Sequence, residues 1–215
     1  MQEIEAFISR VCDSCGLRAQ VLPANDERLV VIVNSLRKFY EENGQAYLSS
    51  RQHLELDTQL ELSARSSTVV VRDSFGLVLS TVRMTPFPFE TEGLIGDAVD
   101  FTPFQQCIEL SRLVSWPDAR FRTLPAALAL ATALQASMRC GDFAGFVALA
   151  KSPQRRVFSK FGLKPGHSTP IAVGLRGFGD YWFLHGALSD LVPHALRHIH
   201  RLYETDPQLV SESTA

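Results

Sequence analysis

The chain has 215 residues and a mass of 23.9 kDa, enough for one domain with a large core or two small ones. With 46% hydrophobic and 20% charged residues, and 21 Lys plus Arg against 23 Asp plus Glu, its make-up is that of an ordinary soluble globular protein and excludes a generally basic nucleic-acid binder. The acidic start Met1-Gln2-Glu3-Ile4-Glu5 shows no secretory leader, and the most apolar stretch, Leu124 to Met138, is interrupted by Thr132, Gln135 and Ser137 and is too short to span a bilayer. A cytoplasmic protein without a membrane span is expected.

In chain order, residues 2–16 read as a short helix ended by Gly16. It carries Cys12 and Cys15 as a CxxC, while Cys107 and Cys140 stand alone, which is no disulfide framework. A structural zinc site needs a second ligand pair at suitable spacing. His194 and His198 share a helix face but lie far along the chain, so no metal is expected and two small thiols on a helix is the plain reading. Asn25 reads as the next N-cap, with Asp26 and Glu27 in the first turn. Leu29, Ile32, Val33, Leu36, Phe39 and Tyr40 then recur at helical spacing up to a stop at Gly44, with Arg37, Lys38, Glu41 and Glu42 off the stripe.

From residue 67 the period changes to that of strands. Thr68–Arg72 and Leu77–Arg83 flank Asp73-Ser74-Phe75-Gly76 and predict a hairpin. Met84 to Pro103 reads as loop with one short helical turn, and a third strand is expected over Cys107–Ser115. A helix apolar nearly all round runs from Thr123 and Pro125 through Arg139 to Gly141, and such a helix belongs inside a layered domain. Phe143–Ala150 suits a central strand, and Ser152-Pro153 opens a helix that ends at Gly162. Ile171–Arg176 and Tyr181–Gly186 form a late hairpin around Gly177-Phe178-Gly179, before a last helix over 190–204. The order is mixed α/β (α+β), with an antiparallel start and one strand–helix–strand crossover. Residues 1–204 are expected to form one domain, with a flexible tail over 205–215.

The most informative stretch is Glu109-Leu110-Ser111-Arg112-Leu113-Val114, because a central strand is normally apolar throughout. In a regular strand Glu109 and Ser111 face one side and Arg112 the other, so the three serve one site only if a bulge re-aims the chain. A Glu109–Arg112 ion pair at a strand end is the plainer alternative.

This stretch resembles the signature strand of the acyl-homoserine-lactone synthases and the related N-acyl amino acid synthases. Leu36-Arg37 is similar to that family's early Leu-Arg, and Asp57 falls where its acidic motif precedes the first strand. Thr81-Val82-Arg83-Met84-Thr85-Pro86 resembles its Arg-containing strand end, and Arg155-Arg156-Val157-Phe158-Ser159-Lys160-Phe161-Gly162 its helix after the fifth strand. The likeness covers roughly residues 30–165. It implies a single-domain acyl-CoA N-acyltransferase (GNAT-like) fold: a mixed, twisted sheet flanked by helices and splayed open in the middle, with the acyl-thioester in the opening.

By that resemblance Glu109 would deprotonate or orient the acceptor amine. Arg83 and Arg112 would position acidic groups, Ser111 would hydrogen-bond, and Arg37 and Asp57 would lie on the acceptor side. A strand N–H would stabilise the oxyanion. Two departures fall on the acceptor side. Gln45 stands where the family has a Trp, and the partner of Asp57 is replaced by Leu54 or Glu55. S-adenosylmethionine stays a candidate acceptor, beside an amino acid or another small-molecule amine.

On the donor side, Trp116 to Arg122 replaces the glycine-rich loop that cradles a pyrophosphate in ordinary acetyl-CoA enzymes of this fold. That favours an acyl chain on acyl carrier protein, with acyl-CoA as the other donor. Arg120 and Arg122 are placed to meet the phosphopantetheine phosphate. Lys151, Arg155, Arg156 and Lys160 form a basic cluster that suits an acidic carrier or a solvated helix face. Leu128, Ala131, Thr132 and Met138, with Phe143–Val147, line an acyl tunnel or are plain core. The function expected is an N-acyltransferase with no bound cofactor. The competing expectation is a non-catalytic acyl-chain or carrier-protein binder of the same fold.

Overall fold

The structure is a computed structural model that describes residues 2–42, 56–116, 118, 120–173 and 180–204. Helix α1, Gln2–Cys15, buries Ile4, Ile8, Val11 and Cys12 along one stripe. Gly16, at φ +60, then reverses the chain into β1, Leu17–Leu22. The sequence pattern had not marked this strand. Only Leu17 and Leu22 are buried in it, so the two-residue alternation that signals a strand is missing.

Helix α2, Arg28–Glu42, starts later than expected, and its entry is held by Asp26 rather than Asn25: the Asp26 carboxylate accepts the Arg28 backbone N–H at 3.0 Å. Gly44 lies outside the described residues. Helix α3, Leu56–Arg65, is a second element the sequence did not mark, and it leads into the expected hairpin of β2, Ser67–Asp73, and β3, Val78–Pro86. Asp73 makes that turn by accepting the N–H groups of Phe75 at 3.0 Å and Leu77 at 2.9 Å.

Helix α4, Glu90–Ile95, is the helical turn expected in the long connection to β4, Cys107–Ser115. Helix α5, Leu124–Cys140, ends on Gly141 in the left-handed conformation and leads to β5, Gly145–Lys151. Then come α6, Ser152–Lys160, the short strands β6, Lys164–Pro165, and β7, Ile171–Ala172, then β8, Asp180–Ala187, and α7, Leu188–Glu204. The turn expected at Gly177-Phe178-Gly179 lies outside the described residues, as does the tail from 205.

The strands form one sheet in the order β1-β2-β3-β4-β5-β8-β6, with β7 also on β8. Pairing is antiparallel throughout except between β4 and β5, which α5 joins as a parallel crossover. Alternation along β5 divides the core. Phe146, Ala148 and Ala150 join the main cluster with α1, α5 and α7, which contains Leu128 and Ala131 fully buried. Val147 points to the opposite face, into an aromatic cluster with Phe89, Phe101, Tyr181 and Phe183. Helix α5 is apolar all round because it is buried on nearly every side.

The parallel pairing of β4 and β5 lasts only three residue pairs, Cys107↔Gly145, Ile108↔Phe146 and Glu109↔Val147. Beyond Glu109 strand β4 follows β3, and beyond Val147 strand β5 follows β8, so the sheet opens at its centre. Close approach at Gly145 sets this register: a Cβ there would lie 2.6 Å from the Gly186 carbonyl oxygen and 3.3 Å from Cys107 Sγ. Gly145→Ala is therefore expected to cost about 1–3 kcal/mol by overpacking. Urea unfolding should show a lower midpoint at unchanged slope.

No helix among the described residues is long and apolar enough to cross a membrane. No three His, Cys, Asp or Glu side chains among them gather as a metal site. In the CxxC, burial pushes the Cys12 thiol up to about 11, which makes it a poor nucleophile or metal ligand at neutral pH.

Candidate active site

Strand β4 carries the expected polar triplet and the irregularity it requires. The β3–β4 register shifts between Thr81↔Val114 and Arg83↔Ser111, so Arg112 and Leu113 together oppose Val82 in a β-bulge. Arg112 takes the left-handed conformation there, at φ +53. The bulge turns its guanidinium to the side on which Glu109 and Ser111 already lie. Its Nη2 comes within 4.0 Å of the Glu90 carboxylate. An L-residue is strained in this conformation by about 1–2 kcal/mol, which glycine avoids. Arg112→Gly should therefore be more stable than Arg112→Ala by about 1 kcal/mol in thermal unfolding. Equal stabilities would argue against the bulge geometry.

Arg83, Glu90, Thr91, Glu109, Ser111 and Arg112 form one network, in which Ser111 and Arg112 are half-buried and the other four buried. Arg83 Nε donates to Ser111 Oγ at 3.0 Å, and its Nη2 pairs closely with Glu90. Glu109 accepts the backbone N–H of Glu90 at 2.7 Å and that of Thr91 at 3.2 Å, and Thr91 Oγ1 closes on the same carboxylate. Glu109 is 1% exposed, Glu90 2% and Arg83 7%. Glu109 thus caps α4 from the neighbouring strand, and α4 in turn fixes the orientation of its carboxylate. Thr85, opposite Glu109 on β3, meets Ser66 at 2.8 Å, and Arg65 donates to the carbonyls of Pro86 and Pro88. The approach to α4 is tied down at each step.

The network sits at the last paired residues before β4 and β5 part. Two cationic groups lie at the far end of β5, over rings of β8 on opposite faces of the sheet. Lys151 stands 5.4 Å from the centre of the Tyr181 ring, and the Arg155 guanidinium lies 3.8 Å over Trp182.

The remaining residues singled out in the sequence are spread more widely. Arg120 is held by two carboxylates, Asp118 at 2.7 Å and Asp73 at 3.1 Å, and so ties the segment after β4 to the β2–β3 turn. These partners hold its guanidinium firmly charged. Arg122, at φ +46, and Arg156 are exposed. Arg37 and Asp57 stand on α2 and α3, and their side chains lie outside the described residues.

Sequence reasoning missed Glu90, which faces both arginines, and Thr91, which holds Glu109. Both fall in a stretch rich in Pro and Gly that carries no period. The one available hint was an acidic residue directly after Phe87-Pro88-Phe89, at the start of a short helix.

No protein-family model matches the sequence, and no curated protein matches it. Solved structures do match the fold. FeeM, an N-acyl amino acid synthase from uncultured soil microbes, superposes with a TM-score of 0.62 at 11% identity, over 83% of this chain and 94% of that one. The acyl-homoserine-lactone synthase LasI gives a TM-score of 0.62 at 15% identity, over 85% and 95% of the two chains. BjaI, a CoA-dependent acyl-homoserine lactone synthase solved with S-adenosylmethionine and isopentyl-CoA, gives 0.58 at 16% identity, over 93% and 100%. The fold is that of the acyl-CoA N-acyltransferases, and the resemblance read from the β4 motif extends to the structures of both kinds of synthase.

Proposed function

We propose that this protein is an N-acyltransferase that moves a fatty acyl group from a thioester, on acyl carrier protein or coenzyme A, to a small-molecule amine. The observation that carries this reading is the Arg83–Glu90–Glu109–Ser111–Arg112 network at the point where β4 and β5 separate. In that opening the amine attacks the thioester carbonyl, a C–N bond forms, the C–S bond breaks and the thiol leaves with a proton. Glu109 takes the proton from the amine, directly or through one water. A backbone N–H of the parted strands stabilises the oxyanion.

The donor-side roles follow from the sequence resemblance. Lys151, Arg155 and Arg156, with Arg122 and the carboxylate-paired Arg120, are the cations this reading assigns to an acidic carrier and its phosphopantetheine phosphate. Arg37 and Asp57 belong to the acceptor side. An amino acid or S-adenosylmethionine is the acceptor class this reading favours, and both kinds of synthase among the similar folds are compatible with it. Residues 1–204 act as one catalytic domain.

One observation favours a second reading, a non-catalytic acyl-chain or carrier-protein binder of the same fold. The Glu109 carboxylate is almost fully buried and already caps α4. Thiol release from acyl carrier protein and acyl-CoA, with a panel of amino acids and S-adenosylmethionine as acceptors, separates the two. The proposal expects release with the natural chain and none with a folded Glu109→Gln that still binds the carrier. Carrier binding without release in the natural chain would establish the second reading.

A further inference from the structure

The two edges of the sheet are built differently. One is formed by β6 and β7, two residues each, the first of them Lys164–Pro165. An edge that is short and carries Lys and Pro resists pairing with another chain. The other edge is β1. It is six residues long, pairs with β2 through six successive residue pairs without a bulge, and contains no Pro and one charge, Arg18. Among the described residues no strand pairs with its outer side, where backbone N–H and C=O groups face outward.

Exposed apolar surface gathers at this same edge. Of the six exposed large hydrophobic side chains among the described residues, four are Val21 on β1 and Val30, Val31 and Val33 on α2, with Val30 at 65% and Val31 at 68%. The start of α2 lies over β1: Leu29 and Ile32 pack in one cluster with Leu22, and Arg28 Nη1 comes 3.5 Å from Gln20 Oε1. On the other face of the strand, Leu17 and Ala19 pack in the cluster that holds α1.

Strand β1 is complementary to itself. Its side chains alternate, so Leu17, Ala19 and Val21 stand on the α1 side and Arg18, Gln20 and Leu22 on the α2 side. A two-fold axis normal to the sheet through Ala19 sets a second β1 antiparallel to the first. Leu17 then lies opposite Val21 of the second copy, Ala19 opposite its own equivalent, and Arg18 opposite Gln20, whose side-chain carbonyl accepts from a guanidinium. Apolar meets apolar on one face, donor meets acceptor on the other, and no like charges are opposed. An axis through Gln20 would instead set Arg18 against Leu22. The size also fits. Six paired residues span about 20 Å, and the strand with α1 and α2, each about 10 Å across, makes a face roughly 30 Å high. That is of the order of the about 800 Å² per partner found in stable interfaces. We propose that two copies of this chain associate through β1 into a two-fold dimer with one continuous sheet, the α2 helices flanking the seam on one face. Association of this kind does not depend on acyl transfer.

Sedimentation velocity of the full chain over a concentration series is expected to show a species of twice 23.9 kDa that grows with concentration. Val21→Lys, at an exposed position, sets a charge against Leu17 on both sides of the axis and should weaken association at least about tenfold. Lys164→Glu, on the opposite edge, should leave it unchanged. Register is read by Ala19→Cys in a Cys140→Ser background, which removes the exposed native thiol. Residues opposite one another in antiparallel strands have Cα atoms about 4.5–5.5 Å apart, within disulfide reach, so mild oxidation should link the two copies. This second readout is independent of how Val21→Lys folds. A monomer at every concentration, a dimer that Val21→Lys leaves intact or Lys164→Glu weakens equally, or a dimer that oxidation of the Ala19→Cys variant fails to link would each overturn the assignment.

Discussion

Replacing Glu109 by Ala is expected to remove acyl transfer and lower stability together, whereas Glu109→Gln should separate the two. The Ala variant strips two backbone N–H groups and a hydroxyl at the start of α4 of their acceptor, in a position closed to water. Buried donors left without partners cost about 1–3 kcal/mol each, and partial fraying of α4 would return some of that, so a loss of about 2–4 kcal/mol is expected. Gln keeps the shape and one acceptor oxygen, turns its NH2 toward one backbone N–H at a smaller cost of about 1–3 kcal/mol, and cannot take a proton from an amine. Loss of a general base lowers turnover by about 10²–10⁴-fold. A folded Glu109→Gln that retains turnover within a few-fold would confine Glu109 to capping α4.

The second large effect concerns Glu90. Its carboxylate faces Arg83, itself buried, and Arg112. Removing one partner of a buried ion pair strands the other charge, at a cost of about 3–5 kcal/mol. Glu90→Leu is therefore expected to destabilise the protein by that amount in denaturant unfolding. Arg83→Met combined with Glu90→Leu should recover part of the loss, because the buried Arg83 charge goes with its partner while Arg112 and Glu109 keep theirs. Additive losses in the pair would contradict the coupling. Under the proposed function, Glu90→Leu should also lower acyl transfer, since Glu90 contacts Arg83 and Arg112 and its backbone N–H orients Glu109.

What the sequence made legible follows from how strongly each feature imprints a pattern. The β2–β3 hairpin, β4, the apolar α5 and the crossover to β5 were all readable because they are long, periodic and bounded by turn residues. Glu109, Ser111 and Arg112 were readable because polar residues in a central strand break an otherwise firm rule, and the condition attached to them, a bulge, is met at Arg112. Strand β1 and helix α3 were not. The first is an edge strand buried only at its two ends, and the second precedes β2 without a strong stop signal. Glu90 escaped for a different reason. Its role comes from long-range packing that brings a six-residue helix over β4, and nothing local in the sequence encodes that placement.

Mass spectrometry of extracts from cells expressing the natural chain or Glu109→Gln tests acyl transfer at the opening between β4 and β5 most directly. The expected result is an N-acyl species present only with the natural chain, whose mass identifies both the acyl group and the amine that received it. Identical profiles from the two strains, with both proteins folded and soluble, would contradict it.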